Sequence, residues 1–518
     1  MLGDFRSNSG LWRQFLSTEA GAGMKSADEL DARRSRRITY VKGLTYIVPF
    51  ILVICSLFLA AFSSYLLPAI ICRLTGLLIF WFCMVSMMSG RDIVDIRLTR
   101  PKSLYGLFFA LYSATELITY PSSTTYNSAN AIQISIIVML CYLGWNIGMN
   151  FAGKPSTASY RRDSLDAARS KAFFLLCAFC VSCVAANMAW RISQGMFFTH
   201  AKSFAQEATG SASFISAFCG TLGLPTLLLC GYAACVSDRS ERAPAKALFW
   251  SYLSVRIALL TLASQFSELL VSVIFTAVIF QTFGKLRIRF SYVLYAGAFL
   301  SMAFVVIMTV RVVAMYSYED TGNPVMDAVH VLGGGIKAMG SSEGFQMIPY
   351  ATSRSSDQLT FLSILVDKFN GGREHVHFSL IGDSMSGMIP RVVWPSKPVQ
   401  KDMALTIESA LDLPENDWEV GPVVTFYVEY GLAGSFILSM CFGLFIGKLT
   451  KFAASRDFQF MWVWLFLIWD VAARPETELQ FGILSATRTL MVIYCMYKVF
   501  YFMFCDRALI PKMLEDAK

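Results

Sequence analysis

Several stretches of this chain run without a charge for close to the length of a membrane span, YIVPFILVICSLFLAAF from Tyr46 being one of them. A helix needs roughly 20 apolar residues to cross about 30 Å of hydrocarbon. Inside lipid, only helices and closed barrels keep every backbone polar group bonded. Runs of this kind recur along most of the 518 residues, and only 15% of the chain is charged. Soluble domains carry about 25% charged residues. The pattern predicts an all-α, polytopic membrane bundle.

Apolar segments at about 44–64, 69–89, 103–120, 131–151, 172–190, 213–236, 247–264, 266–283, 291–310, 423–447, 459–473 and 480–504 give about twelve spans. The seventh and eighth form one apolar run, divided here at Ser264-Gln265 as a tight hairpin. Alternate loops then share their charge. One side holds RRSRR, RDIVDIRLTRPK, SYRRDSLDAARSK, SDRSERAPAK, KLRIR, GKLTKFAASR and the tail DRALIPK, whereas on the other side YPSSTTYNSANA has no Lys or Arg and RISQGMFFTHAKSFAQEATG has two. The positive-inside rule places both termini in the cytoplasm. The net charge of +8 is mostly this bias and gives no reason to expect a nucleic-acid partner. The first forty residues are polar and basic, with no apolar core before a cleavage site, so no removable signal peptide is expected. The 13 cysteines lie in or beside apolar segments without paired CxxC spacing, so neither disulfides nor zinc are expected.

The resulting organisation is a cytoplasmic arm (1–43), spans one to nine (44–310), a large external loop (311–421), spans ten to twelve (422–504) and a cytoplasmic tail (505–518). A loop this long is usually functional or disordered, and this one reads as partly folded. SSDQLTFLSILVDKFNGG sets Leu359, Leu362, Leu365 and Phe369 at helical spacing before a Gly-Gly stop. DMALTIESALDLP reads as a second short helix, with Asp402 as its cap and Pro414 beyond its end. Together they form a cap over the outer mouth of the bundle.

The loop also contains GDSMSGMIPRVVWPSKP, residues 382–398, whose opening is similar to the serine block of GDSL-type hydrolases. A serine nucleophile needs a histidine to take its proton. The four histidines are His200, His330, His375 and His377, so none follows Ser384. The serine end therefore reads as scaffold, and the basic half as the informative one. Charges within or near spans (Arg73, Glu116, Arg256, Glu268, Asp470 and Arg488) are costly unless paired or solvated. They read either as helix-locking pairs or as the lining of a polar cavity that opens outward beneath the loop.

Arg311, Arg354, Arg373, Arg391 and Lys397 add cations on the loop side, joined by Arg474 in the final external turn. The arginine fork matches phosphate oxygens and keeps its charge when buried. His375 and His377 in REHVH sit beside Arg373, and their spacing puts them on one face of a strand. They are candidates for a general base or for a donor to phosphate, and Asp383, Glu419 and Glu429 are the other base candidates. With no further ligand at suitable spacing, no metal or cofactor is expected. The competing reading of all these residues is a solvated loop surface.

The order of IPRVVWPSKP followed by GPVVTFYVEYGLAGSFILSMCFGLFIG resembles the Wzy-type oligosaccharide repeat-unit polymerases of bacterial surface polysaccharides. The matching positions are Pro390, Arg391, Trp394, Pro395, Lys397 and Pro398, then Glu429, Gly431 and Gly434, within about fifty residues. The resemblance implies a metal-independent, inverting glycosyltransferase in the bacterial inner membrane. It would move a glycan from undecaprenyl diphosphate onto a lipid-linked repeat unit at the periplasmic face. Its partners would be those two lipid-linked glycans and membrane lipids, with a chain-length regulator and a flippase beside it. It would place Arg256, Arg311, Arg373, Arg391, Lys397 and Arg474 on the diphosphates or sugars, and His375, His377 or Glu429 as the base.

The related O-antigen ligases usually carry a histidine before the penultimate spans, where this chain reads VVTFYVEYG. A ligase-like transferase and a lipid-glycan transporter or flippase remain as alternatives. Against transport, the central loop SDRSERAPAK is short, and no paired, broken halves are visible.

Overall fold

In a computed structural model, the described residues are 66–89, 92–96, 101–122, 127–153, 167–193, 222–262, 266–283, 288–289, 333–334, 337, 357–377, 403–413, 420–454 and 479–505. The chain divides into two units, Met1–Leu59 and Ala60–Lys518, and everything described lies in the second. The helices are α1 (Leu66–Met87), α2 (Pro101–Phe109), α3 (Thr115–Thr119), α4 (Ser128–Phe151), α5 (Ala167–Ser193) and α6 (Gly223–Val236). They continue with α7 (Arg239–Leu262), α8 (Phe266–Thr282), α9 (Asp357–Asn370), α10 (Met403–Ala410), α11 (Pro422–Ala454) and α12 (Leu479–Cys505). A single π-turn, Ala110–Ala114, joins α2 to α3.

Helices therefore stand where the sequence predicts the second to eighth, tenth and twelfth spans. The first, ninth and eleventh spans, and residues 213–221 of the sixth, lie outside the described residues. Ser128–Phe151, Ser170–Trp190 and Pro422–Phe452 are long and apolar enough to cross a membrane, while Leu67–Cys83, Gly223–Val236, Glu268–Thr282 and Thr489–Phe502 are apolar but shorter. Ile132, Ile136, Leu143 and Phe151 stand exposed on α4. That distribution suits lipid, which removes the incentive to turn apolar side chains inward. The chain reads as a membrane protein.

The run predicted as a hairpin is two helices, α7 and α8, bridged from Arg256 to Glu268. One feature was not predicted. Short strands β1 (Met88–Ser89), β2 (Asp92–Ile96) and β3 (Ile288–Arg289) form a small antiparallel sheet with β2 in the centre. Asp95 pairs with Arg289 and Ile96 with Ile288. The sheet thus ties RDIVDIRLTRPK to KLRIR, two loops that the charge pattern assigns to the same side.

Among the described residues, the most extensive helix packing is between α4 and α11. Gln133 meets Tyr427, Gly144 meets Phe436, Gly148 meets Met440, and Ala152 meets Gly447, so the two helices run parallel. Their seam is built on glycine. A Cβ at Gly148 would stand 2.0 Å from the Met440 carbonyl oxygen, one at Gly144 2.3 Å from that of Phe436, and one at Gly443 2.5 Å from that of Trp145. Small residues let membrane helices approach backbone to backbone, where dispersion and weak polar contacts replace the hydrophobic drive. Gly148→Val is therefore expected to force the helices apart, at a cost of about 1–3 kcal/mol or more. The measurement is the melting temperature in detergent, and an unchanged value would mean that the seam is looser than described.

Candidate functional site

The helix predicted from SSDQLTFLSILVDKFNGG forms, as α9. Leu359, Leu362 and Leu365 are fully buried, and Phe369 is half-buried at the end of the same face. The helix stops at the glycine pair. Gly372 adopts φ +92, and the Arg373 N–H bonds back to the Lys368 carbonyl at 3.3 Å. A left-handed residue just past the last turn is a common helix stop, and glycine takes that conformation without strain.

Three polar residues at the start of α4 hold α9 in place. The Asn130 amide donates to the Ser363 carbonyl (3.0 Å), the Ser363 hydroxyl (3.1 Å) and Asp367 (2.7 Å), and the Asn127 amide donates to Asp367 at 3.3 Å. One turn further on, Gln133 accepts from the Asn370 amide at 3.2 Å and donates to the Tyr427 hydroxyl at 3.1 Å. Asn130 is buried, so deleting its amide leaves polar groups unsatisfied, which costs about 1–3 kcal/mol. Asn130→Ala is expected to release α9. Faster proteolysis within the 311–421 loop of the intact protein is the readout, and an unchanged cleavage rate would remove Asn130 from this role.

α11 is broken near its start. Tyr430 (φ −145, ψ 23) and Gly431 (φ 62, ψ −142) leave helical geometry. The sequence reads this segment as one continuous span from 423. A break strands the last carbonyls of the first half-helix, which need new donors. The REHVH segment supplies them. The Val376 N–H donates to the Val428 carbonyl at 3.2 Å and the His377 N–H to the Glu429 carbonyl at 3.3 Å. The predicted strand through His375 and His377 is thus an irregular clasp on a helix end, with His377 in the left-handed region at φ +45. The two rings still come together, 6.5 Å apart.

His375 is the best-fixed of the base candidates. Its Nδ1 lies 3.2 Å from the Val428 carbonyl oxygen. A carbonyl can only accept, so Nδ1 carries the proton and Nε2 keeps the lone pair. The ring stacks on Phe369 at 4.2 Å between centroids and meets Tyr427 edge-on at 5.8 Å. Nε2 faces Gly431, where a Cβ would stand only 2.9 Å away. Burial pushes the His375 pKa below its usual value, and the nearby His377 adds to that, while the bond to Val428 opposes it. The imidazole is therefore held neutral near pH 7, as a base must be. His377 is exposed, with its ring 5.4 Å from that of Tyr430. Glu429 is fully buried, at the end of the first half-helix.

The structure brings together His375, His377, Glu429 and Arg373. Arg373 is exposed and forms an ion pair with Asp412, which links the end of α9 to the end of α10. Arg256 is placed differently. Its Nη2 lies 2.8 Å from Glu268, its Nε donates to the Ser272 hydroxyl at 2.9 Å, and its Nη1 fills the space beside Gly223. Those contacts fit the helix-locking reading of this buried arginine. Arg73 on α1 and Glu116 on α3 are buried as well. Arg311, Arg354, Asp383, Ser384, Arg391, Lys397, Asp402, Pro414, Glu419, Asp470, Arg474 and the side chain of Arg488 lie outside the described residues.

The arrangement defines a class: a membrane-type helical bundle with a histidine from the segment after α9 clasped to a broken helix. The chain belongs to the family described as a domain of unknown function (DUF8712), whose model matches residues 186–458, more than half of the chain and the whole of the 311–421 loop. Neither the curated proteins nor the solved structures contain a match to it.

Proposed function

We propose that this protein is a polysaccharide polymerase, a membrane glycosyltransferase that moves a glycan from undecaprenyl diphosphate onto a lipid-linked repeat unit. The observation that carries the reading is the seat of His375. The IPRVVWPSKP and YVEYGLAG segments resemble the Wzy-type polymerases but leave the base unassigned. The fold delivers a histidine from the loop to the VEYG segment itself, with its tautomer fixed and Nε2 turned to Gly431.

In the proposed step, an acceptor hydroxyl oxygen forms a bond to the donor's anomeric carbon as its proton passes to His375 Nε2. The bond from that carbon to the diphosphate oxygen breaks, and undecaprenyl diphosphate leaves. Inversion results from attack on the face opposite the leaving group. The negative charge that develops there calls for preorganised cations, and Arg391 and Lys397, held between prolines, are the residues proposed for that task. Inner-membrane placement, cytoplasmic termini and the twelve-span layout belong to the same proposal.

The test is purified protein with lipid-diphosphate repeat units, analysed on a gel. A ladder of products supports the polymerase, whereas its absence from a folded preparation overturns it. Discontinuous helices also occur in transporters, where half-helix ends meet the substrate, so the break in α11 keeps a flippase as the second reading. In cells lacking the protein, glycan capped with a single repeat unit marks a polymerase, and lipid-linked units retained on the inner leaflet mark a flippase. Loss of all attached glycan marks a ligase.

A further inference from the structure

We infer that Tyr430 and His377 form a stacking platform for a pyranose ring, the acceptor sugar whose hydroxyl meets His375; this rests on the glycosyl-transfer reading above. Tyr430 would continue a regular helix if α11 were unbroken. Instead its backbone leaves helical geometry and the residue stands 38% exposed at the break. His377 meets it from the loop, with the rings 5.4 Å apart and tilted by 52°. The left-handed His377 backbone and the non-helical Tyr430 backbone are joined through the bond from His377 N–H to the Glu429 carbonyl. Strained conformations of this kind persist only where the surroundings over-determine them, and they cluster at ligand sites.

The chemistry of the cluster suits a sugar. A pyranose presents an apolar face of C–H groups and a rim of hydroxyls, so it is recognised by an aromatic plane with planar polar groups at its edge. Tyr430 supplies the plane and His377, tilted by 52° to it, flanks that plane as a second ring, and each carries a polar tip. His375 lies between platform and scaffold, its ring 6.5 Å from that of His377 and its Nε2 against the backbone next to Tyr430. A ring resting on Tyr430 would thus bring a rim hydroxyl towards His375 Nε2, the nitrogen of that ring that holds its lone pair.

The experiment compares the full-length protein in detergent with Tyr430→Ala and Tyr430→Phe on a printed oligosaccharide array, with melting temperature as the folding control. The wild type is expected to bind at least one hexopyranose glycan. Tyr430→Ala is expected to weaken that binding at least 10-fold, while Tyr430→Phe keeps it within about 3-fold, because the ring face and not the hydroxyl does the stacking. No glycan binding by folded wild type, or equal binding by Tyr430→Ala, overturns the platform. The ladder assay separates the two ideas. A ladder whose acceptor KM is the same in wild type and Tyr430→Ala removes the platform and leaves the polymerase. Ring-dependent glycan binding without a ladder removes the polymerase and leaves the sugar site.

Discussion

Gly431→Ala is expected to lower polymer formation at least about 100-fold, through two effects at one atom. The first is backbone strain. At φ 62 and ψ −142, Gly431 occupies a region that is close to forbidden for residues with a Cβ, and holding alanine there costs about 1–3 kcal/mol. The second is contact, because the new methyl would stand 2.9 Å from His375 Nε2 and shield the lone pair. The strain lowers the melting temperature, whereas the contact lowers turnover. Combining Gly431→Ala with His375→Asn separates them, since removing the ring relieves the contact and leaves the strain. A single variant with unchanged melting and an intact ladder would mean that α11 is not broken at this residue.

His375→Asn is expected to reduce turnover by about 10²–10⁴-fold, the usual worth of a positioned general base. The asparagine amide can still donate to the Val428 carbonyl, so the clasp on the half-helix should survive and the melting temperature should change little. His375→Ala removes that donor as well and should melt lower. For the wild type, turnover should rise with pH up to the folded-state pKa, which lies below the usual 6.5, and then level off. The stability linkage has the same origin. The folded state disfavours the proton that the unfolded state accepts, so the contribution of His375 is fully present above about 6.5 and is lost as pH falls towards the folded value. A turnover profile unchanged in His375→Asn would sink the base assignment.

Much of the frame was legible in the sequence because lipid imposes a simple rule. Uncharged runs of sufficient length gave the helices, and the RDIVDIRLTRPK and KLRIR loops assigned to one side are the two that β2 and β3 join. α9 was legible down to its buried leucines and its Gly-Gly stop, since periodicity and stop residues act within a few residues of one another. The break in α11 was not. Tyr430 and Gly431 sit among residues apolar enough to read as one span, and the donors that make a break tolerable come from residues 375–377, more than fifty positions earlier. Hydropathy averages over such a detail. Asn127, Asn130 and Gln133 do carry a local signal, since their spacing of three residues places them on one face at the start of α4. Their partners on α9 are more than two hundred residues away and could not be inferred. His375 and His377 were candidates from their place beside Arg373 and their spacing of two, and tertiary contacts separated one from the other.

The glycine seam between α4 and α11 sets a fixed datum for everything at the loop end. Backbone in contact with backbone leaves no soft side chain to absorb an error along the axis. Asn130 lies fourteen residues before Gly144 on α4, and Gly431 lies twelve before Gly443 on α11. Removing one residue from either interval would turn everything beyond it by about 100° and draw it in by about 1.5 Å. Asn130 would then face away from Asp367, or Gly431 away from His375. The two helices act as a pair of rulers read against each other, and the chain tolerates change in which residues fill those intervals far more readily than change in their number.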